Sequence, residues 1–261
     1  MKALRRARVV FVAAAGRSKA GVYIFRMPIT NPVALVLFGS PGSGKGTQSK
    51  YLTGWLGIPQ ISTGEILREH VRDGDEIGQA ITSLLRAGSL VSDALVNEIV
   101  RGRILKEDCK RGFILDGYPR TTTRAEEMTR LLTGVGASEV VIHLVVDYNI
   151  IISRITGRRV CPVCGTVYNA KSRPPKNEGV CDLDGQKLVV RDDDREEVVR
   201  ERLAQYERQT KPLIEYFSGD GHRLISVDAS RQSPDEVFRA IQDELSSAGL
   251  VVGDLLAEAV R

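Results

Sequence analysis

The feature that most constrains this 261-residue chain is a glycine-rich loop that follows a short apolar segment. Val33–Phe38 is an uninterrupted apolar run, bounded by Pro32 and Gly39, and is typical of a strand buried on both faces of a sheet. Residues 39–47 then read Gly-Ser-Pro-Gly-Ser-Gly-Lys-Gly-Thr. Glycines let successive main-chain N–H groups curl around a polyanion, and the next helix adds its positive dipole end. The sequence therefore predicts a phosphate-binding loop, with a simple strand-to-helix turn as the alternative.

Individual residues of this loop have predicted roles in holding a nucleoside triphosphate. Lys45 is expected to reach the β- and γ-phosphates, and Thr47 to lie near a bound magnesium ion. The common P-loop pattern has Ser or Thr directly after the Lys, whereas here Gly46 follows and the hydroxyl comes one residue later. The predicted phosphate-contacting set is Gly42, Ser43, Gly44, Lys45, Gly46 and Thr47.

Three later apolar segments of strand length, at 112–115, 140–145 and 224–227, alternate with helical patterns. This alternation predicts an α/β protein whose central parallel sheet has helices on both faces. With the loop, it predicts a P-loop NTPase fold. Two stretches, about 60–95 and 157–194, are too long for single crossover helices and are expected to form inserted lobes.

The composition excludes several classes of protein. The chain is 42% hydrophobic and 27% charged, as expected of a globular protein rather than a disordered one, and it contains no apolar run long enough to span a membrane. Its net charge is +4, but the first 26 residues contain seven basic residues and no acidic one. The rest holds 30 basic against 33 acidic residues, so the charge does not indicate nucleic-acid binding. Four cysteines in a chain of this length do not suggest a disulfide scaffold.

Both ends of the chain are expected to lie outside the main domain. Residues 1–31 form a basic extension that has three interpretations: an upstream start before Met27, a transit peptide, or a secretory leader. A cytoplasmic location is expected, with an organelle as the alternative if residues 1–26 are a transit peptide. Residues 249–261 carry apolar residues at helical spacing and predict a terminal helix that packs on the body. A monomer is the expected state, with no membrane partner.

A second anion-binding group follows the strand at 112–115, where Asp116 and Arg120 frame the sequence Asp-Gly-Tyr-Pro-Arg. Asp116 is suited to orient hydrated magnesium, and the planar guanidinium of Arg120 to bind a phosphate. A buried Asp–Arg ion pair is the alternative. Farther upstream, residues 61–68 begin with a capping pattern, so Thr63 and Glu65 are equally consistent with an N-cap and a first-turn acid.

The segment 157–194 contains a predicted metal site. Cys161 and Cys164 stand two residues apart in a Cys-x-x-Cys pair, and sixteen residues separate them from Cys181 and Asp184. This is the spacing of a zinc ribbon, and three thiolates with one carboxylate suit tetrahedral zinc. Asp182 is the competing carboxylate, and a reduced cysteine pair without metal is the alternative.

Five segments together resemble the adenylate kinase family over roughly residues 33–245. They occur in that family's order and spacing: the glycine loop, 61–68, 88–93, 113–121 and 157–159. The resemblance implies reversible, magnesium-dependent transfer of the γ-phosphoryl group of ATP to AMP, which gives two ADP. It also implies structural Zn²⁺, because family members with this type of lid carry zinc. The implied division is a core at 32–61, 92–156 and 195–248, a monophosphate-binding lobe at 62–91, and a zinc-binding lid at 157–194.

The resemblance also implies roles for individual residues. The expected catalytic residues are Lys45, Asp116, Arg120, Arg158, Arg191 and Arg202. Besides the loop, the expected ATP contacts are Arg154, Arg158, Val167, Tyr168 and Arg231. The expected AMP contacts are Thr63, Arg68, Ser89, Leu90, Val91, Gly117, Tyr118, Pro119, Arg120, Arg124, Arg191 and Arg202. We expect Asp193 and Asp194 to cap the helix that begins near them, rather than to pair with arginines.

One departure from the family pattern concerns the base. The family has a Gln four residues after the Arg at 120, and its amide contacts adenine, whereas this chain has Arg124. A guanidinium only donates hydrogen bonds, so the exocyclic amine of adenine loses its expected acceptor. Either Arg124 turns away or base discrimination is altered, which makes a kinase for UMP or CMP the nearest competing function.

Functions of a different class also fit parts of the sequence. They are a P-loop ATPase or switch protein, a non-catalytic nucleotide sensor, and a nucleic-acid-binding zinc protein. Tyr168 is the one aromatic residue of the predicted lid, and that argues against nucleic acid.

Overall fold

The structure is a computed structural model that describes residues 32–170, 172–219, 221–230 and 233–248. The predicted basic extension at 1–31, the predicted helical tail at 249–261, and Arg231 lie outside the described residues.

The core of the described chain is a five-stranded parallel sheet. The strands are β1 (Val33–Phe38), β2 (Gln60–Ser62), β3 (Gly112–Asp116), β4 (Ser138–Val145) and β7 (Leu224–Asp228). Their order across the sheet is β2-β3-β1-β4-β7, so the first strand is central. The four predicted strands and the P-loop NTPase fold are confirmed. The edge strand β2 was not predicted, because its three residues are too few to show a hydrophobic period.

Helices connect these strands and cover both faces of the sheet. The described residues contain α1 (Lys45–Leu56), α2 (Thr63–Asp73), α3 (Glu76–Arg86), α4 (Asp93–Ile104), α5 (Thr122–Gly134), α6 (Tyr148–Thr156), α7 (Glu196–Gln205), α8 (Leu213–Ser218) and α9 (Pro234–Ser247). Short 3₁₀ turns lie at Glu107–Cys109 and Asp192–Asp194, and a π turn at Tyr206–Thr210 continues α7. None of the described helices has the length and apolar character that a membrane span requires.

Alternating side chains of β1 build two apolar cores, one on each face of the sheet. Ala34, Val36 and Phe38 pack into one core, whereas Leu35 and Leu37 pack into the other. All six residues of β1 are buried, as expected when helices cover both faces of a parallel sheet. The strand is thereby held rigidly, and the glycine loop starts from its carboxyl end.

The two predicted insertions have different structures. The first contains α2 and α3, whose amphipathic faces pack on the core through residues such as Leu67 and Ile81. The second contains a two-stranded antiparallel sheet, β5 (Arg158–Val160) with β6 (Val167–Asn169). Its buried cluster has only four members among the described residues: Cys161, Tyr168, Cys181 and Leu188. The exact division into core, lobe and lid stays a prediction.

A substitution in β3 tests the central sheet. Phe113 is 1% exposed and belongs to the larger core, so we expect Phe113→Ala to lower the free energy of unfolding by about 3–5 kcal/mol. Leu105→Ala is the matched control, since Leu105 is 61% exposed and should change stability by no more than about 0.5 kcal/mol. Urea unfolding followed by circular dichroism measures both values. Equal losses in the two variants would contradict the described core.

Candidate active site

The glycine loop between β1 and α1 has a backbone that only glycine adopts easily. Gly42 and Gly44 have φ angles of +78° and +102°, and a Cβ atom at position 42 would lie 2.7 Å from the Ile155 Cγ1 atom. Gly44 is also the N-cap of α1. The loop therefore curls directly into the helix N-terminus, which is the arrangement that binds phosphate groups through main-chain N–H donors.

Lys45, the first residue of α1, folds back over this loop. Its Nζ atom donates to the carbonyl oxygens of Gly39 and Ser40 at 2.9 and 2.8 Å. Burial, together with the positive charge of Arg120, lowers the pKa of Lys45 to about 7 against the opposing attraction of Asp116. The ammonium group is thus held in place, but its charged form is only weakly stabilised. An anion bound in the loop would stabilise that charged form.

Asp116, at the end of β3, faces the same loop. Its Oδ2 atom accepts a hydrogen bond from Gln60 Nε2 at 3.0 Å, and a Cβ atom at position 46 would lie 3.5 Å from that oxygen. A Ser or Thr at position 46 would occupy this space, whereas Gly46 leaves it open. The hard oxygens of Asp116 and Thr47 fit magnesium held with phosphates. No ion pair between Asp116 and Arg120 is found among the described residues, so the predicted alternative is not supported.

Arg120 is positioned mainly by main-chain contacts. Its Nε atom donates to the Gly117 carbonyl at 2.9 Å, and its own carbonyl accepts from Thr210 Oγ1 at 3.0 Å. Burial, together with the charges of Arg202 and Arg124, lowers the pKa of Arg120 to about 10. This guanidinium therefore lies in a positively charged environment, which favours a bound phosphate.

Further arginines surround the same space, and we call them with Arg120 the arginine cluster. The cluster comprises Arg68, Arg120, Arg158, Arg191 and Arg202. Arg120, Arg202 and Arg158 are all near enough to lower the pKa of Lys45. Burial and the neighbouring charge of Arg68 lower the pKa of Arg191 to about 10. Five cations around one cavity make it a strong binding site for polyanions.

Two acids of the turn at 192–194 hold this cluster together. Asp194, whose side chain is fully buried, pairs with Arg158 in a two-pronged contact and lies 3.4 Å from Arg202 Nη1. Asp193 lies 3.1 Å from Arg202 Nη1 and 3.8 Å from Arg68 Nη1. The predicted capping role for these acids is wrong, because α7 has Arg195 at its N-cap and no side-chain cap. An unpaired buried guanidinium group destabilises the fold more than an uncapped helix end does, so the two acids pair with the arginines.

The charge of these groups follows from their pairing. Burial opposes the charge on Arg158, yet hydrogen bonds and attraction from Asp194 raise its pKa. Burial likewise opposes the charge on Asp193, yet Arg202 and Arg68 lower its pKa. On the opposite side of the cluster, Glu65 contacts Arg68 at 3.0 Å and Arg191 at 3.5 Å. The lobe that carries Glu65 and Arg68 is thus linked electrostatically to the segment at 191–194.

A cavity of about 1680 Å³ opens at the carboxyl edge of the sheet and joins most of the predicted contacts. The predicted ATP contacts that line it are Gly42, Ser43, Gly44, Lys45, Gly46, Thr47, Arg154, Arg158, Val167 and Tyr168. The predicted AMP contacts that line it are Arg68, Leu90, Gly117, Pro119, Arg120, Arg191 and Arg202. Thr63, Ser89, Val91, Tyr118 and Arg124 are absent from its lining.

Thr63 and Tyr118 have structural partners of their own. Ser62, rather than Thr63, caps α2 by accepting from the Glu65 main-chain N–H. Thr63 Oγ1 instead donates to the Gly117 carbonyl at 3.0 Å and so joins α2 to the turn after β3. The Tyr118 hydroxyl donates to Asn97 Oδ1 at 2.8 Å. The two residues therefore position the turn that presents Arg120.

Arg124 is buried beside the cavity and its guanidinium is occupied. Its Nε atom donates to Asp93 Oδ1 at 2.6 Å, and its Nη2 atom donates to the Val91 carbonyl. The side chain is 3% exposed. Of the two possibilities raised by the sequence, Arg124 turns away from the cavity and connects α5 to the first residue of α4 and to Val91 just before that helix.

The four predicted metal ligands lie together at the lid. The ligand atoms of Cys161, Cys164, Cys181 and Asp184 all lie within 4.8 Å of one another. Cys164 and Cys181 Sγ atoms are 3.6 Å apart, and Asp184 Oδ2 lies 3.2 Å from Cys161 Sγ. Two thiolates on a tetrahedral zinc ion are separated by about 3.8 Å, so the donor set and its spacing fit zinc. Asp182, the competing carboxylate, accepts instead from the Lys176 main-chain N–H.

Local interactions already favour the ligating forms of some of these groups. The main-chain N–H of Gln186 and the nearby thiols lower the pKa of Asp184 to about 2. For Cys181, burial opposes the thiolate, but hydrogen bonds from the Tyr168 hydroxyl and from main-chain N–H groups lower its pKa. Burial, together with the adjacent Asp184 carboxylate, raises the pKa of Cys161 to about 11. A divalent cation would remove this conflict between Cys161 and Asp184.

Sequence reasoning missed several contacts at the site. It did not find Gln60 as the partner of Asp116, or Lys50, whose Nζ atom donates to the lid carbonyl of Gly165 at 3.0 Å. It also missed the contact of the Tyr168 hydroxyl with Cys181. These pairs are separated by 13 to 115 positions, so no local pattern signals them.

The fold and the site together define a class of protein. A glycine loop joins a buried strand to a helix, Lys45 covers the loop, and Asp116 faces it from the neighbouring parallel strand. These features define a P-loop nucleotide-binding protein. The arginine cluster adds a second set of cations across the same cavity.

Comparisons with known proteins identify the family. The adenylate kinase family model matches residues 37–222. The chain is 47% identical over 212 residues to the adenylate kinase of Caldanaerobacter subterraneus subsp. tengcongensis, an alignment that covers 81% of this chain and 95% of that relative. It is 43% identical over 210 residues to that of Caldicellulosiruptor saccharolyticus, covering 79% and 98%. The adenylate kinase of Oceanobacillus iheyensis is 43% identical over 212 residues, with 81% and 98% covered. The chain belongs to the adenylate kinase family and is a nucleotide-binding phosphotransferase.

The pKa of Lys45 predicts how nucleotide binding depends on pH. The pKa is about 7 in this structure, and bound phosphates stabilise the charged form and raise it. From a pH of about 7.5 to 9.5, binding of a non-hydrolysable ATP analogue should therefore take up a proton, and affinity should fall as the pH rises. Calorimetry in two buffers with different ionisation enthalpies measures this uptake.

Lys45→Met should abolish the proton uptake, whereas Lys110→Met should leave it intact, since the side chain of Lys110 is 70% exposed. Equal uptake by the wild type and Lys45→Met would assign the proton to another group.

Proposed function

We propose that this protein catalyses the reversible, magnesium-dependent transfer of the γ-phosphoryl group of ATP to AMP, giving two ADP. The observation that carries the proposal is that Lys45 on the glycine loop and Arg120 on the opposite turn line one cavity, where the positive charge of Arg120 helps to lower the pKa of Lys45. A single-nucleotide hydrolase needs one phosphate site and a group that positions water. Two facing cationic subsites instead suit two phosphate-bearing substrates held end to end.

In this proposal, the triphosphate of ATP binds to the loop at 42–47. The main-chain N–H groups and Lys45 neutralise the phosphates. Arg154, on α6, lines the same side of the cavity and donates to the Ala229 carbonyl at 2.7 Å. Val167 and Tyr168 then contribute from the lid. Arg231 belongs to the same predicted set and stays a prediction from the sequence.

AMP is proposed to bind on the other side, with its phosphate between Arg68 and Arg120. Gly117 lies close to this position, since a Cβ atom there would be 3.1 Å from Arg120 Nη2 and 3.2 Å from Thr63 Oγ1. Leu90 and Pro119 line the adjoining part of the cavity, and Ser89 and Val91 complete the predicted AMP segment. Glycine at 117 therefore gives the substrate room beside the guanidinium.

The transfer step requires that the two substrates are aligned and that the phosphate charge is neutralised, and it does not require a general base. Arg158, Arg191 and Arg202 lie between the two subsites and would stabilise the negative charge that builds on the transferring group. Magnesium, when bound with ATP near Asp116 and Thr47, neutralises phosphate charge and orients the oxygens. Residues of the chain exclude water and hold the two nucleotides in line.

A kinase for UMP or CMP is the second candidate function, because Arg124 replaces the amide that the family uses for adenine. The contacts of Arg124 with Asp93 and Val91 favour AMP over this candidate. Because these partners hold the Arg124 guanidinium outside the cavity, it does not present an N–H donor to the adenine amine, which is itself a donor. The base would then be recognised by main-chain groups and by the shape of the cavity.

The decisive assay measures ADP formation from ATP with AMP, GMP, UMP or CMP in turn. We expect AMP to be used with the highest kcat/KM, and Lys45→Met to lower turnover by at least about 10²–10³-fold. Lys110→Met should retain wild-type turnover, because its side chain is largely exposed. Preference for UMP or CMP would establish the second candidate, and no turnover with any monophosphate would refute both.

We also propose that Cys161, Cys164, Cys181 and Asp184 bind a structural zinc ion. The buried cluster around them is too small to stabilise the lid alone. When bound, zinc cross-links the two turns of the lid, so that the lid moves as one unit over the substrates. The monomeric state, the cytoplasmic location and the lack of a nucleic-acid partner stay predictions from the sequence.

Loss of one ligand should affect stability more than catalysis. Cys161→Ser should remove zinc, measured by mass spectrometry, and lower the melting temperature by at least about 5 °C. Activity measured at low temperature, where the variant is still folded, should fall less than its thermal stability does. Cys109→Ser is the control, since Cys109 lies in the main core and its replacement should leave zinc content unchanged. A larger effect on low-temperature activity than on melting would argue that the metal is catalytic.

A further inference from the structure

One tyrosine of the lid belongs to a strand that lines the cavity and also contacts the predicted metal ligands. Tyr168 is 4% exposed and packs with Cys161, Cys181 and Leu188. Its hydroxyl oxygen lies 3.5 Å from Cys181 Sγ and 2.8 Å from the Asp182 main-chain nitrogen. Neither contact is expected from the sequence, which predicts for Tyr168 only a contact with ATP.

The direction of the hydrogen bonds follows from the chemistry of the two partners. The Asp182 N–H is only a donor, so it must donate to a lone pair of the tyrosine oxygen. The tyrosine proton is thereby left for its other neighbour, Cys181 Sγ. A thiolate that binds zinc has no proton of its own and accepts an O–H hydrogen bond.

The strand that carries Tyr168 connects this contact to the nucleotide cavity. Along β6, side chains alternate between faces, so Val167 and Asn169 point away from Tyr168. Val167 and Asn169 line the cavity, as Tyr168 itself does, and Asn169 Nδ2 donates to the carbonyl of Arg154 at 3.0 Å. One face of β6 thus meets the metal ligands and the other meets a residue proposed to contact ATP.

We propose that Tyr168 is a positioning residue of the metal site: its hydroxyl donates to the zinc-bound thiolate of Cys181 and couples β6 to the metal. This inference rests on the proposed zinc site. Partners of this kind orient the metal ligands, so their loss weakens metal binding by about 10–100-fold. The predicted role of Tyr168 as an ATP contact is then refined. Its hydroxyl group positions a metal ligand, and the strand β6 that carries it borders the nucleotide cavity.

Tyr168→Phe tests the proposal, since it keeps the ring packing and removes only the hydroxyl. Wild type, Tyr168→Phe and the control Tyr148→Phe are loaded with zinc, and zinc release to a chromogenic chelator is followed. The side chain of Tyr148 lies on α6 and is 51% exposed. We expect release about tenfold or more faster from Tyr168→Phe, and wild-type release from Tyr148→Phe.

A cobalt-substituted sample separates a lost hydrogen bond from loosened packing. Without the O–H donor, the sulfur holds its electrons less tightly, so the thiolate-to-cobalt charge-transfer band should move to longer wavelength in Tyr168→Phe only. An unmoved band, or zinc release within about twofold of wild type, overturns this inference and leaves the zinc site standing. A wild-type protein that retains no zinc after loading refutes the zinc site and this inference together.

Discussion

Mutual repulsion among the cations around the central cavity is the constraint on which the rest of the structure depends. Burial and neighbouring positive charges lower the pKa of Lys45 to about 7 and that of Arg120 to about 10. Such a cluster needs internal counter-charges. Asp193 and Asp194 supply them, and the fully buried Asp194 side chain contacts both Arg158 and Arg202. The same charges that repel one another suit two phosphate-bearing substrates.

The parallel sheet brings these charges together. β1 and β3 are neighbours, with Leu37 paired to Asp116, so the glycine loop and the turn with Arg120 leave the same edge of the sheet. Parallel strands place their carboxyl ends side by side, and ligands bind in the crevice beyond them. The two lobes then close the cavity laterally, through Arg68 on α2 and Arg158 on β5. The sheet thus holds the loop and the turn in a fixed relative position, and the two insertions border the cavity between them.

The segment at 157–194 has a small apolar core, and the proposed zinc site bears on how it is stabilised. The four proposed ligands occupy two turns, and these turns are joined by short bridges such as Val160 with Val189. A metal ion would supply the cross-link that apolar burial cannot supply in so few residues. In this proposal Tyr168 would extend the cross-link to β6. The same strand would then contribute to the metal site and to the nucleotide cavity.

Short stretches of sequence were sufficient to specify the strand at 33–38, the glycine loop, the metal-ligand spacing and the family. Their signals are local, so apolar period and ligand spacing can be read directly. Long-range packing alone established that Asp193 and Asp194 pair with arginines, and that Arg124 binds Asp93 and faces away from the cavity. Such pairings depend on desolvation and on which distant segments meet, since a buried charge takes whatever partner the fold places beside it.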